Sequence, residues 1–426
     1  MRSHASYQII LKYPLYSSVR EGGLCLCRRG FNRRVSTKIA TLDRGEFSQH
    51  EVILLTSIKN ARPTKMHSQI LLKPDGRPLT LYSRYPIPEG IAAVSPSNEP
   101  VQANPHFRWH PLRGEWVAYA SHRQGRTFMP PPEYNPLAAT INPKFPTELP
   151  PGDYDVAVFD NRFPSMTLQA KNAPANIVET LPAKGICEVV VFTQDPLASL
   201  GSLELSHLEL LLEVWADRTS VIGSNPEIEY VLPFENRGVE VGVTLHHPHG
   251  QIYAYPFVPP VPARMLECQS VYYQKNSSGL LQDLIQKEIA DKQRILYLDA
   301  EAIAFVPACA RYPYEVWIAP ITPAATFIDL TEKQRQSLAK ALKTVTLKYD
   351  GLWQRQFPYL MAWFQGPTDG KPHPEAHLHA EFYPPYRSSD RLKYLAGTEL
   401  AAGMFANDAL PEEKAKELQA VSVNLY

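Results

Sequence analysis

The run Thr244-Leu-His-His-Pro-His-Gly-Gln-Ile-Tyr253, preceded by Phe234-Glu-Asn-Arg-Gly238, decides how the rest of the chain is read. In an extended chain alternate side chains share a face, so His247, His249 and Gln251 are expected to project together. Pro248 cannot donate to a sheet ladder and Gly250 has no side chain. The opposite face is therefore thin, and the backbone there can lie at an edge or against a ligand. Three aligned polar side chains suit a site better than a core.

Outward from this run the chain repeats itself loosely. Glu188-Val-Val-Val-Phe reads as a strand leading through Pro196 to Ser206-His-Leu-Glu209, a capping-box pattern. The helix beyond is expected to bury Leu208, Leu211, Leu212 and Trp215. Further on, Glu315-Val-Trp-Ile-Ala leads through Pro320 and Pro323 to Thr331-Glu-Lys-Gln334, a second capping box. That helix turns Leu338, Ala341, Leu342 and Val345 inward and is expected to stop at Asp350-Gly351. Each helix is followed by strands and then a histidine-rich strand, His246 to Tyr253 and His377 to Tyr383, and both end in proline. A duplicated unit accounts for this. The expected architecture is α+β, mostly antiparallel sheet covered on one side by helices. The halves are expected at 66–262 and 263–426. Ahead of them, Arg108 to Tyr119 reads as a hairpin turning at Arg113-Gly114.

The 426 residues hold 43 Lys+Arg and 43 Asp+Glu, with 44% hydrophobic and 20% charged, the composition of a soluble globular protein. Zero net charge removes the usual argument for nucleic-acid binding, so any anion must be held locally. No apolar run approaches the roughly 18 residues of a membrane helix. Five scattered cysteines favour a reducing compartment, and the expected location is cytoplasmic. Forty prolines against 21 glycines suggest rigid loops between short strands. Residues 1–65 carry a balance of +8 against −8 for the remainder. This head could be a transit-like basic arm. It lacks a periodic amphipathic pattern, so the working protein is expected to begin near Met66 and the head to be disordered or non-native.

A neutral imidazole can attack an electrophilic phosphorus, splitting one displacement into two through a phosphoramidate. The ring needs its other nitrogen held, and donors must meet the phosphoryl oxygens. Gln251 is a neutral amide on the same face as His249. A histidine there would instead supply a proton.

His247-Pro-His-Gly-Gln251 with Glu235-Asn236 resembles galactose-1-phosphate uridylyltransferase, of the histidine-triad superfamily, and the resemblance runs from about Arg108 to the C-terminus. It implies that His249 is the nucleophile of a ping-pong exchange: UDP-glucose leaves UMP on His249, and galactose 1-phosphate takes it. His247 and Gln251 complete the implied catalytic set, with Gln251 and Thr244 on the transferred phosphate. Ser121-His-Arg-Gln-Gly-Arg126 resembles the segment that brings Arg123 and Arg126 to phosphates. Val158-Phe-Asp-Asn-Arg-Phe163 resembles the uridine pocket, offering Asn161 and Phe163. Arg391 to Glu399 resembles the segment that grips the hexose through Lys393 and Glu399. A homodimer is implied.

The sequence departs from the resemblance at both metal sites. Members that bind structural zinc carry a Cys-x-x-Cys pair where Asn135 and Ala138 stand, and a histidine at about Pro196, so His247 alone remains. At the second, iron- or zinc-type site His379 matches, but Glu381, Met265 and Phe364 replace ligands. His377, His379 and Glu381 share a strand face and form a weak two-His-one-carboxylate candidate; a buried His–Glu hydrogen-bonded pair accounts for the same residues. No cofactor is expected to be required. Two other functions stay open: a nucleotide-sugar phosphorylase or adenylyltransferase with the same nucleophile, and a non-catalytic nucleotide-binding protein.

Overall fold

The computed structural model describes residues 65–426 apart from 127–129 and 131–133. The expectations for the basic head therefore lie outside the described residues, save Lys65. Strands β1 (His67–Leu72) and β2 (Pro78–Ser83) form a hairpin. The predicted hairpin follows as β3 (His106–His110) and β4 (Glu115–Tyr119), turning through Gly114 at φ 67°. Next come β5 (Val156–Asp160), β6 (Thr180–Pro182) and β7 (Ile186–Val191), then helix α1 (Leu205–Gly223). Strands β8 (Tyr230–Arg237) and β9 (His249–Tyr255) close the first half. Helices α2 (Pro260–Asn276) and α3 (Leu280–Asp291) lead to β10 (Ile295–Leu298), β11 (Ala302–Phe305) and β12 (Val316–Pro320). Helix α4 (Glu332–Leu352), β13 (Tyr359–Phe364) and β14 (His379–Tyr383) follow, and helix α5 (Pro411–Gln419) lies near the C-terminus.

Eleven strands make one sheet in the order β1-β2-β5-β7-β9-β8-β13-β14-β12-β11-β10. Every pairing in it is antiparallel. Read outward from the central β8–β13 pair, the order is symmetric: β9, β7, β5 on one side answer β14, β12, β11 on the other. The duplication read from the sequence is thus a pseudo-twofold about β8 and β13, placing β9 and β14, the two histidine strands, in equivalent positions.

Helices α1 and α4 cover one face, and their apolar stripes join residues of both halves in one core, with Leu208, Leu211, Leu212, Trp215, Leu338, Ala341, Leu342 and Val345 all buried. On the other face, α3 packs Leu281 and Ile285 on Ile303, Phe305 and Ala319 of the second half. In the first half no helix among the described residues takes that place, and the loop residues Leu137, Leu149 and Tyr154 cover part of it. The face left open there is where the site forms. No helix among the described residues is long and apolar enough to cross a membrane.

The caps differ from expectation in one half. At α4 the Thr331 hydroxyl accepts the Gln334 N–H and the Gln334 side chain returns the bond. At α1 the helix begins at Leu205, so Glu204 rather than Ser206 is the N-cap, and no side-chain cap bond forms. The carbonyl of Ser206 instead accepts Arg84. Helix α4 continues through Gly351 to Leu352, while Asp350 pairs with Arg237 of β8 at 2.8 Å.

Candidate active site

Strand β9 begins at His249, later than the sequence alone suggests. From there period-two alternation sends His249, Gln251 and Tyr253 to the open face, and buries Gly250, Ile252 and Ala254 on the other. Gly250 is required by packing. A Cβ there would meet the Phe192 ring at 2.7 Å and the Phe234 carbonyl at 2.8 Å.

His247 lies outside the strand and does not share the face of His249 and Gln251. Its ring is buried: Nε2 donates to the Thr193 carbonyl (2.7 Å) and Nδ1 accepts from the Asn135 amide (2.9 Å). Burial holds its pKa below the ordinary histidine value, so the ring is neutral. Its backbone carbonyl accepts from His249 Nδ1 at 2.7 Å. A carbonyl only accepts, so the His249 proton sits on Nδ1 and the Nε2 lone pair is free. Burial likewise lowers the His249 pKa. An uncharged imidazole with its free nitrogen at the cleft is chemically able to act as a nucleophile.

The cleft around it encloses about 260 Å³. Phe159, Val189, Phe234 and Leu245 give it an apolar wall, while Arg123, Arg126, Arg162, Asn161, Thr244 and Asn236 supply polar groups. Asn161 is oriented by accepting the Phe163 N–H (2.8 Å), which turns its amide nitrogen toward Gln251 Oε1 (3.5 Å). The Gln251 amide nitrogen is thereby left to donate into the cleft. Arg123 is steadied on the Phe163 carbonyl (2.6 Å) and near the Tyr253 hydroxyl (3.3 Å).

Of the residues marked in the sequence, the structure gathers His249, Gln251, Arg123, Arg126, Asn161, Phe163, Asn236 and Thr244 in this cleft. Glu235, next to Asn236 on β8, points to the opposite face, where it accepts the Tyr359 hydroxyl (3.0 Å) and is buried. Lys393 and Glu399 come together with each other, 3.5 Å apart, rather than at the cleft. Lys393 also donates to the Ala406 carbonyl, and Glu399 accepts the backbone N–H groups of Ala396 and Ala406, so within one chain the pair fastens the C-terminal segment. Sequence reasoning missed Arg162 and Tyr253; the period-two face of β9 carried the signal for Tyr253.

The weak metal candidate does not assemble. His377 Nε2 donates to the Pro320 carbonyl (2.8 Å), and His379 Nε2 meets Glu381 (3.3 Å). Apolar Met265 and Phe364 border the same small space. No group of three or more His, Cys, Asp or Glu among the described residues could hold a metal ion.

Comparison with known proteins identifies the family. Residues 97–259 match the N-terminal domain of galactose-1-phosphate uridyl transferase and residues 265–425 its C-terminal domain. A galactose-1-phosphate uridylyltransferase of Thermotoga maritima is 36% identical over 325 residues, covering 75% of this chain and 99% of that protein. A solved uridylyltransferase superposes with a TM-score of 0.66 at 31% identity, covering 74% of this chain and 98% of its own. An ADP-glucose phosphorylase of Arabidopsis thaliana, at 21% identity and a TM-score of 0.56, covers 75% of this chain and all of its own and shares the fold. With both domains matched in order across the described chain, the protein belongs to the galactose-1-phosphate uridylyltransferase family.

Proposed function

We propose that this UDP-glucose–hexose-1-phosphate uridylyltransferase works through a uridylyl group carried on His249 Nε2. The free Nε2 attacks the α-phosphorus of UDP-glucose, and the bond to the bridging oxygen breaks as glucose 1-phosphate leaves with the electron pair. A phosphate oxygen of galactose 1-phosphate then attacks the same phosphorus, the N–P bond breaks, and UDP-galactose departs. His249 keeps its Nδ1 proton throughout, and the His247 carbonyl facing it offsets the positive charge on the uridylylated ring. Gln251 and the arginines Arg123, Arg126 and Arg162 meet the phosphoryl charge, and the apolar wall suits a base.

The observation that carries this reading is the 2.7 Å contact from His249 Nδ1 to the His247 carbonyl, which places a proton on Nδ1 and leaves Nε2 for the cleft. Intact mass after mixing with UDP-glucose is expected to show a UMP-sized adduct, absent in His249→Ala and discharged by galactose 1-phosphate. An adduct only from an adenine donor would instead mark an adenylyltransferase. The family expectation of a homodimer belongs to the same proposal, and light scattering showing only monomer would remove it. Among the described residues Cys187, Cys268 and Cys309 are free thiols, which supports a cytoplasmic setting.

A further inference from the structure

The orientation of His249 depends on the His247 carbonyl, and the His247 ring is fixed at both nitrogens. Asn135 Oδ1 accepts the Leu137 N–H at 3.0 Å, which turns Asn135 Nδ2 to the ring. An amide nitrogen only donates, so His247 Nδ1 accepts and its proton lies on Nε2, facing the Thr193 carbonyl. Both ends of the ring thus require the same neutral tautomer.

The second half of the molecule is an internal control. There His379 Nδ1 donates to the His377 carbonyl (2.8 Å), and His377 Nε2 donates to the Pro320 carbonyl (2.8 Å), repeating the arrangement at His249 and His247. Yet His377 Nδ1 is buried without a partner. The His-x-His arch therefore folds without a third anchor, and the half that carries the free nucleophile is the one that has it. Asn135 stands where zinc-binding members place a thiolate, while Ala138 and Pro196 offer no ligand atoms.

We propose that the Asn135 amide takes the place of a metal ion as the anchor of His247, making Asn135 a positioning residue for the nucleophile His249. This rests on the uridylyl-His249 reading. Asn135→Leu keeps the branched outline and removes both the donor to His247 and the acceptor of the Leu137 N–H. It is expected to slow adduct formation from UDP-glucose about 10- to 100-fold in a quenched single turnover, with the KM for UDP-glucose shifted less than about threefold. Imidazole ¹⁵N NMR of the wild type is expected to show His247 as a single Nε2–H tautomer, lost in the variant, and a chelator is expected to leave wild-type turnover unchanged. Adduct formation at the wild-type rate in Asn135→Leu overturns the inference. So does wild-type turnover abolished by chelation and restored by zinc. If the variant does not fold, the tautomer and chelator measurements on the wild type decide alone. A wild type that never acquires the adduct defeats the uridylyl-histidine reading and this inference with it, whereas equal adduct in both proteins defeats only this one.

Discussion

His379 Nε2 lies 3.3 Å from Glu381 Oε1, so the nitrogen equivalent to His249 Nε2, the proposed attacking atom, is already engaged. Glu381 occupies in β14 the place that Gln251 holds in β9, two residues beyond the histidine. Burial would raise the Glu381 carboxyl, but the His379 ring, the Tyr383 hydroxyl and Arg311 outweigh it and hold the pKa below the ordinary value. Phe364 stacks on the His379 ring at 5.4 Å and Trp317 tilts against it at 6.0 Å. Two copies of one scaffold thus differ in whether the second nitrogen is free. Gln251→Glu should carry the blocked arrangement into the first half. It would occupy His249 Nε2 and repel the incoming phosphate. Steady-state kcat is expected to fall about 10²- to 10³-fold; a variant within about threefold of wild type would show that amide and carboxylate are interchangeable here.

The pH dependence of adduct formation follows from the half-buried His249 ring. Its pKa is lowered, first by burial, so the neutral nucleophile persists below the pH at which an exposed histidine takes up a proton. The single-turnover rate with UDP-glucose is expected to stay flat from pH 8 down through about 6.5 and to fall only in more acid solution. A midpoint at or above the ordinary histidine value would place the ring in water.

The sequence disclosed the repeat because the two strand–helix–strand units keep their apolar spacing, and it disclosed His249 and Gln251 because period-two alternation fixes their common face. It misplaced His247, since the ladder starts only at His249 and the residues before Pro248 leave the sheet. The resemblance put Asn135 and His247 at one depleted metal site, but it could not show their hydrogen bond, which forms only when the loop after β4 folds over the sheet. The Ser206 pattern failed for a local reason: the helix starts one residue before Ser206, and Glu204 becomes the cap. Lys393 and Glu399 pair through the turn at Thr398–Ala402, which no helical spacing predicts.

Glu235 offers a test that separates stability from catalysis. Burial pushes its carboxyl up to about 7, with the Arg237 charge and the Tyr359 hydroxyl only partly offsetting this. Because the folded pKa is raised above the unfolded value, the contribution of the neutral acid is fully present below the unfolded pKa and is lost as pH rises through about 7. Glu235→Gln removes that loss, so it should stabilise the protein at pH 8 by up to about 3 kcal/mol and change little at pH 4. Denaturant unfolding at the two pH values checks the sign. The KM for UDP-glucose is expected to stay within about threefold of wild type, because the carboxylate faces the core.

Arg162 lies between Asn161 and Phe163 on the cleft wall, and with Arg123 and Arg126 it makes three arginines that line the same cleft as His249. None of the three forms an ion pair with a carboxylate among the described residues, and Glu148 in the same wall is already held by Lys73 and Arg77. A protein of zero formal net charge that leaves three cations unpaired in one cleft concentrates positive potential there, which suits a diphosphate. Charge-assisted bonds of this kind contribute about 1.5–3 kcal/mol each. Arg162→Met keeps much of the stem and removes the charge. It is expected to raise the KM for UDP-glucose about 10-fold and to flatten the salt dependence of kcat/KM. If the inhibition constant of UMP, which lacks the second phosphate, rises by the same factor, Arg162 serves the cleft wall rather than the diphosphate.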